Sequence, residues 1–229
     1  MSLAEHRTPP TAEDAAALDR ALQRLPLFPL PDVVLLPHAL LGLHVFEERY
    51  RALVRDILTG ARLLAVGLLA SEARQTDDRP PVRSIVGVGE VVMAHELPDG
   101  RFNLVLRGRA RVHIDEELDS DRPYRLVAAT ALPDFEIADP GEIADADQVL
   151  RALIGRLADS IPDGGELLQV VAAQETPAEL VDGVAAALIA DAGLRQRLLE
   201  TRDLGQRLER VCAEVVAMTA RLGTPRGAN

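Results

Sequence analysis

The stretch LPLFPLPDVVLLPHALLGLHVFEERYRALVRDIL, residues 25–58, contains the two signals that decide the fold. Prolines at positions 26, 29, 31 and 37 interrupt its first half, fix φ and remove backbone donors, which excludes an interior helix. We predict an extended ribbon at the edge of a sheet over residues 25–37, continued by a β-strand over residues 40–46. After Phe46 the apolar residues recur at helical spacing, which predicts a helix that ends at Gly60.

The residues after this helix have the periodicity of β-strands. RLLAVGLL at 62–69 predicts a buried strand, residues 71–81 a polar loop, and the valine-rich residues 84–94 a second strand. Pro98-Asp99-Gly100 predicts a tight turn into the alternating strand RFNLVLRG, residues 101–108. Residues 109–114 and 124–132 add two more, so we expect about six strands around one helix.

The pattern becomes helical after Pro133 and stays so up to Leu222. We therefore expect an α+β protein with a flexible tail over 1–22 that is helical within 14–24, a β subdomain over 23–135, a helical subdomain over 136–223 and a flexible C-terminus over 224–229. Thr176 and Glu179 predict a capping box at one helix start. Apolar residues of the last helix form a seam that packs on its own domain or pairs weakly with a second copy.

The charge balance and the basic residues exclude several functions. The 36 acidic and 25 basic residues give a net charge of −11, which makes nucleic acid an unlikely partner; a cluster of Arg101, Arg107, Arg109 and Arg111 is the exception. The sequence contains no lysine. A Walker A loop, a Schiff-base enzyme and a serine/lysine dyad all need that amine, and arginine cannot replace it because it stays protonated.

No familiar catalytic constellation is present. Gly87-Val88-Gly89 lacks the third glycine of a dinucleotide-binding loop and continues as a strand, so these glycines favour a coiled or bulged strand. No serine lies in a Gly-x-Ser-x-Gly elbow, the histidines are scattered, and Cys212 lies on an apolar helix face. We expect no enzyme, no metal and no cofactor, and we favour a binding protein.

The location follows from two absences. No apolar run reaches the roughly 18 residues of a membrane span, and the first 20 residues lack the order of a secretory signal. A single cysteine fits a reducing compartment. We expect a cytoplasmic protein without a membrane partner.

The candidate binding surface combines the proline-rich ribbon with the start of the helix. We expect Leu27, Phe28 and Leu30 on an unpaired edge, beside Phe46 and Tyr50, where an extended peptide would find backbone hydrogen bonds and side-chain pockets. The alternative is that these residues belong to the core, which is the preferred interpretation for Leu30 and Phe46.

The same residues resemble a known family. LPLFPLPDVVLLP followed by LHVFEERYRALVRDIL is similar to the opening of the Lon substrate-binding domain, and VGVGEVVMAHELPDGRFNLVLRGRARVHI is similar to its glycine-marked strand, hairpin and following strand. The resemblance extends over residues 25–222 and includes helical segments near the C-terminus. Two departures are His38, where the family usually has glycine, and Gly42, where it often has proline.

The resemblance implies a PUA-like pseudo-barrel followed by helices, and a role in holding unfolded or tagged protein segments. It adds Arg49 to the candidate peptide-binding residues, because Arg49 belongs to the family motif with Phe46 and Tyr50. Lon proteases join this domain to an ATPase and a serine/lysine peptidase, neither of which we expect here. Our interpretation is a non-catalytic module for unfolded or extended polypeptide, an adaptor or holdase that works with a separate protease or chaperone. The alternative is a PUA-like module for RNA or a small ligand.

Overall fold

A computed structural model describes residues 12–70, 79–135 and 137–223. The predictions of a flexible tail over residues 1–11, of a polar loop over 71–78 and of a flexible C-terminus over 224–229 lie outside these ranges. The described residues form six strands and seven helices. The strands are β1 (Leu25–Leu30), β2 (Leu40–Val45), β3 (Leu63–Leu68), β4 (Ile85–Glu96), β5 (Phe102–Leu118) and β6 (Arg125–Ala131). The helices are α1 (Ala12–Leu22), α2 (Glu48–Leu58), α3 (Pro140–Ala158), α4 (Gly164–Ala172), α5 (Pro177–Leu188), α6 (Ala192–Glu200) and α7 (Leu204–Gly223).

The strands form one sheet, of which all but β2 close into a ring. Their order is β2-β5-β4-β3-β1-β6, and an additional pairing of β5 with β6 closes a ring of five strands. β5 is long enough, at 17 residues, to pair with β2 through its first half and with β6 through its second. The predicted α+β pseudo-barrel with a helical subdomain is thereby confirmed. The two strands predicted over 101–108 and 109–114 are one continuous strand.

The proline-rich ribbon is not an edge, and this part of the sequence interpretation is wrong. β1 pairs antiparallel with β6 over Leu25–Leu27 and parallel with β3 over Leu27–Leu30. Each of these ladders is three or four residues long, and each contains one proline, so each tolerates the missing donor. The partners lie far away in the sequence, and the local pattern gives no sign of them.

A crossing segment over residues 33–38 passes directly over β4 and β5. A Cβ atom at Gly87 would lie 1.9 Å from the Leu35 carbonyl oxygen, and one at Gly108 would lie 2.0 Å from that of Leu36. The backbone of Gly108 also accepts a hydrogen bond from the His38 amide at 2.9 Å. The predicted irregularity is present as a register shift between Val88 and Gly89. Glycine is required at 87 and 108 because only hydrogen fits between the two backbones.

The N-terminal region contains a packed helix where the sequence analysis expected a tail. α1 covers residues 12–22, close to the helix considered at 14–24. Leu22 is buried and Leu18 half-buried, both against a cluster formed by β-strand residues such as Leu25 and Leu27. Two apolar positions one turn apart are thus enough to attach this helix to the barrel.

The helical subdomain has the local structure that its sequence predicts. Thr176 accepts a hydrogen bond from the Glu179 amide, and the Glu179 carboxylate accepts one from the Thr176 amide, so the capping box is confirmed. The seam of α7 faces α3 and α5 within the same chain, and its buried residues are Leu204, Leu208, Val211 and Val215. The seam therefore packs on its own domain, and pairing with a second copy stays a prediction.

A network of buried charges joins the barrel to the helices. Arg111 on β5 donates to Asp134 after β6, to Asp182 on α5 at 3.1 Å and to the Leu199 carbonyl at the end of α6. Arg207 on α7 donates to both oxygens of Asp134, at 3.0 and 2.6 Å, and lies 3.4 Å from Asp182. Arg111, Asp182 and Arg207 are almost completely buried. Four charges thus connect β5, the connector, α5 and α7.

The network gives folding stability a specific dependence on pH. Burial, opposed by the guanidinium groups of Arg207 and Arg111, raises the pKa of Asp182 to about 6. The folded protein therefore binds a proton near pH 6 that the unfolded chain binds only near pH ~4. The contribution of Asp182 is full below that lower value and is lost as the pH rises through about 6. We expect about 2 kcal/mol of relative stabilisation on acidification from about pH 7 to pH 4.5, absent in Asp182→Asn.

Denaturant unfolding of both proteins across this range measures the effect. Asp134 does not produce the same trend. Although burial raises its pKa, hydrogen bonds from Arg207 and the charge of Arg111 lower it below the ordinary value, so its contribution is lost only at more acidic pH. Parallel profiles for the two proteins would contradict the assignment to Asp182.

Candidate peptide-binding surface

β2 is the free edge of the sheet. Within the described part of the chain, it pairs only with the first half of β5, from Leu40 opposite Arg107 to Val45 opposite Phe102. A strand with one unpaired side presents backbone donors and acceptors that an additional strand can use. The edge that the sequence analysis placed at β1 therefore lies at β2.

An apolar outer face lies beside this edge. Cross-strand partners share one face of a sheet, and Gly42, Val105 and Met93 are aligned across β2, β5 and β4. Met93 is 58% exposed, and a Cβ at Gly42 would meet no atom within 4 Å. The glycine thus leaves open space between the free edge and the half-buried Val105.

The outer face continues to both ends of β2. His44 and Asn103 form the next row, where the imidazole Nδ1 lies 2.7 Å from the Asn103 side-chain oxygen. The Phe46 ring stacks on His44 with the ring centroids 6.3 Å apart and is itself 61% exposed. Leu40 is 57% exposed at the other end of the strand. We define the outer face as Leu40, Gly42, His44, Phe46, Val92, Met93, Asn103 and Val105.

Three of the predicted peptide-binding residues are not arranged as expected. Leu27 is completely buried, Phe28 is 6% exposed, and Leu30 is half-buried on a strand with partners on both sides. The preference for a core position is correct for Leu30, which packs against the same cluster as Phe28. None of the three offers an open side chain on a free edge, because all of them pair with β3 and their side chains are buried or half-buried.

The other three predicted residues lie at the start of α2 and separate into two roles. Phe46 projects into the open, contrary to the preferred core interpretation. Tyr50 is buried in an edge-to-face contact with Phe28, with ring centroids 4.3 Å apart, and Arg49 lies over the Tyr50 ring at 4.6 Å. Burial raises the pKa of the Tyr50 hydroxyl. Phe46 therefore belongs to the outer face, whereas Arg49 and Tyr50 border a second feature.

That feature is a small cleft, which we call the arginine cleft. Its volume is about 90 Å³, and its walls are Pro29, Arg49, Tyr50, Arg79, Pro80, Arg122, Pro123, Tyr124 and Arg125. Burial and a hydrogen bond to Asp56 raise the pKa of Tyr124 to about 12, so its hydroxyl stays a donor, at 2.6 Å from that carboxylate. Among the described residues that line the cleft, none is acidic.

The arginines that cluster in the sequence do not form one basic patch. Arg101 pairs with Asp99 at 2.6 Å, Arg109 pairs with Glu90 at 3.3 Å, and Arg111 is buried in the network that joins the subdomains. The described residues contain no group of three or more potential protein ligands for a metal ion. Across the same residues, we find no helix with the length and apolar character needed to cross a membrane. The cytoplasmic location stays a prediction.

The sequence analysis missed most of the outer face. Leu40 and Met93 were assigned to strands but not to a surface, because alternation alone does not distinguish the covered face from the open one. A second register shift, between Val91 and Met93, changes the alternation of β4 and leaves both Val92 and Met93 exposed. The one available signal was the weakly apolar pattern at 40–46, where Gly42 and His44 alternate with leucines.

The free edge, the apolar outer face and the helical subdomain are together the features of a binding domain that is built on a β pseudo-barrel. The family model described as "ATP-dependent protease La (LON) substrate-binding domain" matches residues 24–217 of the chain. The chain therefore belongs to the Lon substrate-binding domain family, and the predicted membership is confirmed.

Relatives and solved structures agree with this assignment. The Lon protease of Xanthomonas oryzae pv. oryzae is 29% identical over 192 residues, which cover 81% of this chain and 22% of that protein. The N-terminal domain of the Mycobacterium avium complex Lon protease has a TM-score of 0.64 at 20% identity and covers 84% of this chain and 98% of that one. The Lon N-terminal domain protein from Xanthomonas campestris has a TM-score of 0.57 at 27% identity, with 83% and 97% covered. The chain spans about a fifth of the length of the curated relatives it matches.

Proposed function

We propose that this chain is a non-catalytic module that binds unfolded or extended polypeptide along β2. The observation that carries the proposal is the coincidence of a free sheet edge with three large apolar side chains, Leu40, Phe46 and Met93, each more than half exposed. Contiguous apolar groups beside an unpaired strand are costly for a folded protein unless a partner covers them. The family to which the chain belongs is described by substrate binding, which supports the same conclusion.

The arrangement suits an extended segment of variable sequence. A polypeptide added to β2 forms hydrogen bonds through its backbone, which every sequence supplies, while alternate side chains contact the outer face. The open space at Gly42 accepts side chains of different sizes between Leu40 and His44. Such a surface selects for extended, partly apolar chain rather than for a fixed motif. Binding is expected to be micromolar and independent of ATP, as suits an adaptor or holdase for a separate protease or chaperone.

Replacing Met93 or Phe46 with serine is expected to weaken binding to fluorescein-labelled unfolded casein about tenfold each. The loss of one partly buried apolar contact corresponds to roughly 1.4 kcal/mol. Both side chains are exposed in the free protein, so the free energy of unfolding should change by less than about 0.5 kcal/mol. Fluorescence anisotropy at low and moderate salt measures the affinity, and denaturant unfolding measures the stability.

Val149→Ser is the matched control for these variants. Val149 is 52% exposed on α3, so the substitution removes a similar apolar surface from the helical subdomain. Its affinity should equal that of the unsubstituted chain. Equal losses in all three variants would show a non-specific apolar attraction, and unchanged affinity in Met93→Ser and Phe46→Ser would exclude the outer face.

A second measurement tests strand addition itself. A peptide that binds and a version N-methylated at alternate residues have the same side chains, but the methylated version lacks donors on one side. We expect about a tenfold weaker affinity when the methylated side faces β2 and little change when the other side is methylated. Random-sequence RNA is the comparison for the alternative function. Steeply salt-dependent RNA binding in the absence of casein binding would favour the PUA-like RNA module over the polypeptide-binding module.

A further inference from the structure

The arginine cleft concentrates positive charge on a protein that is otherwise acidic. Four guanidinium groups line about 90 Å³ of space, whereas the chain as a whole has a net charge of −11. The three prolines in the walls have no backbone N–H. The side-chain donors that line the cleft are the four guanidinium groups and the two tyrosine hydroxyls, which suits an anion.

The carboxylates that pair with these arginines do not line the cleft. Arg49 pairs with Glu47 at 2.9 Å and Arg122 with Asp56 at 2.6 Å. A third carboxylate, Glu117, is shared by Arg79 at 3.4 Å and Arg125 at 2.8 Å. Among the described residues, three carboxylates thus pair with four guanidinium groups, one fewer than the positive charges that line the cleft.

One donor in the cleft is still unused. The Tyr124 hydroxyl donates to Asp56, but no described residue forms a hydrogen bond with the Tyr50 hydroxyl. Tyr50 is held by its edge-to-face contact with Phe28 and by Arg49 over its ring, so the position of its hydroxyl oxygen is set before any ligand arrives. Planar guanidinium groups beside an oriented hydroxyl match the geometry of a carboxylate.

The start of α2 contributes residues to both the cleft and the outer face. Phe46 belongs to the outer face and Arg49, three residues later, to the cleft. We infer that the arginine cleft binds an Asp or Glu side chain of the polypeptide whose apolar part lies on the outer face. This inference rests on the proposed function and adds a charge preference to it. The protein would thus select extended segments in which an apolar stretch lies next to a negative charge.

The test uses two fluorescein-labelled extended peptides of the same apolar sequence. One ends in Glu and the other in Gln, and both have a C-terminal amide, so that they differ only in the side-chain carboxylate. The intact chain should bind the carboxylate peptide about tenfold more tightly at low salt, since a charge-assisted, two-point hydrogen bond to arginine discriminates by about this factor. Inorganic phosphate should compete only with the carboxylate peptide, because it is an anion without the apolar part.

Two substitutions should move this ratio in opposite directions. Arg49→Gln removes a guanidinium group and should bring the ratio close to one. Glu47→Gln removes the carboxylate that occupies Arg49 and should raise the ratio severalfold; Glu47 makes no side-chain cap to α2, so the helix does not depend on it. Arg109→Gln is the matched control, because Arg109 is a similarly exposed, ion-paired arginine outside the cleft, and it should leave the ratio unchanged.

The outcomes separate this inference from the proposed function. If the intact chain binds both peptides with equal affinity, the carboxylate site is overturned and the proposed polypeptide binding stands. If neither peptide binds, both the carboxylate site and the proposed polypeptide binding are overturned. If the ratio is above one but Arg109→Gln lowers it as much as Arg49→Gln does, the preference is a general electrostatic attraction. That result also overturns the carboxylate site. Circular dichroism of each variant verifies that it is folded.

Discussion

Replacement of Arg207 by methionine is expected to lower the free energy of unfolding by about 3–5 kcal/mol, since it breaks a buried ion network on one side only. Arg207 is completely buried and is the common partner of Asp134 and Asp182. Without it, Arg111 alone must neutralise two carboxylates, one of them buried. Methionine keeps most of the volume, so the effect comes from the charge and not from a cavity.

Arg210→Met is the control for this prediction. Arg210 lies three residues later on α7 and is exposed, so its replacement should change stability by less than about 0.5 kcal/mol. Urea unfolding of the two variants and of the unsubstituted chain gives the difference. A cost of less than about 1 kcal/mol for Arg207→Met would mean that the network adds little to the attachment of the helices.

Gly108→Ala is expected to destabilise the fold by about 3 kcal/mol or more, because the added methyl group must displace backbone. Its Cβ would lie 2.0 Å from the Leu36 carbonyl oxygen and 3.0 Å from the Pro37 Cα. No side-chain rotation relieves these contacts, so the crossing segment must move away from β5. The hydrogen bonds between Gly108 and residues 38 and 39, at 2.9 and 2.8 Å, would be lost with it.

Gly155→Ala is the matched control, because it adds the same methyl group where nothing lies within 4 Å. Gly155 lies inside α3, so alanine should stabilise that helix by about 0.5–1 kcal/mol. The two variants should therefore shift the unfolding midpoint in opposite directions. Destabilisation by both would argue for a general intolerance of substitution rather than for a close approach at Gly108.

The crossing segment also determines where the candidate binding surface begins. Residues 33–38 lead directly into β2, whose first residue is Leu40. His38 adopts a positive φ of 64° at the last bend before the strand, a conformation that favours glycine. The path of this segment thus sets where the free edge begins.

The candidate site shows which features are local enough to predict. The start of α2 is encoded within about ten residues, so the local pattern and the family motif are enough to predict Phe46, Arg49 and Tyr50 as candidates. The roles of these residues were not predictable, because they depend on neighbours such as Phe28 and the residues around Pro123. The prolines at 26 and 29 indicated an unpaired strand, but β3 and β6 contribute the missing partners from about 40 and 100 positions away.

The sequence by itself determined the α+β class, the hairpin at Pro98-Asp99-Gly100, the capping box at Thr176 and membership in the Lon substrate-binding domain family, because each rests on short-range backbone preferences or on a motif. Only the tertiary structure decided that β2 is the free edge, that Met93 is exposed and that Arg111 is buried. Exposure of a side chain depends on whether a distant element covers it. The closure of β5 on β6 and the hydrogen bonds of Arg111 to Asp182 and to the Leu199 carbonyl bring together residues separated by up to 88 positions, which no local pattern records.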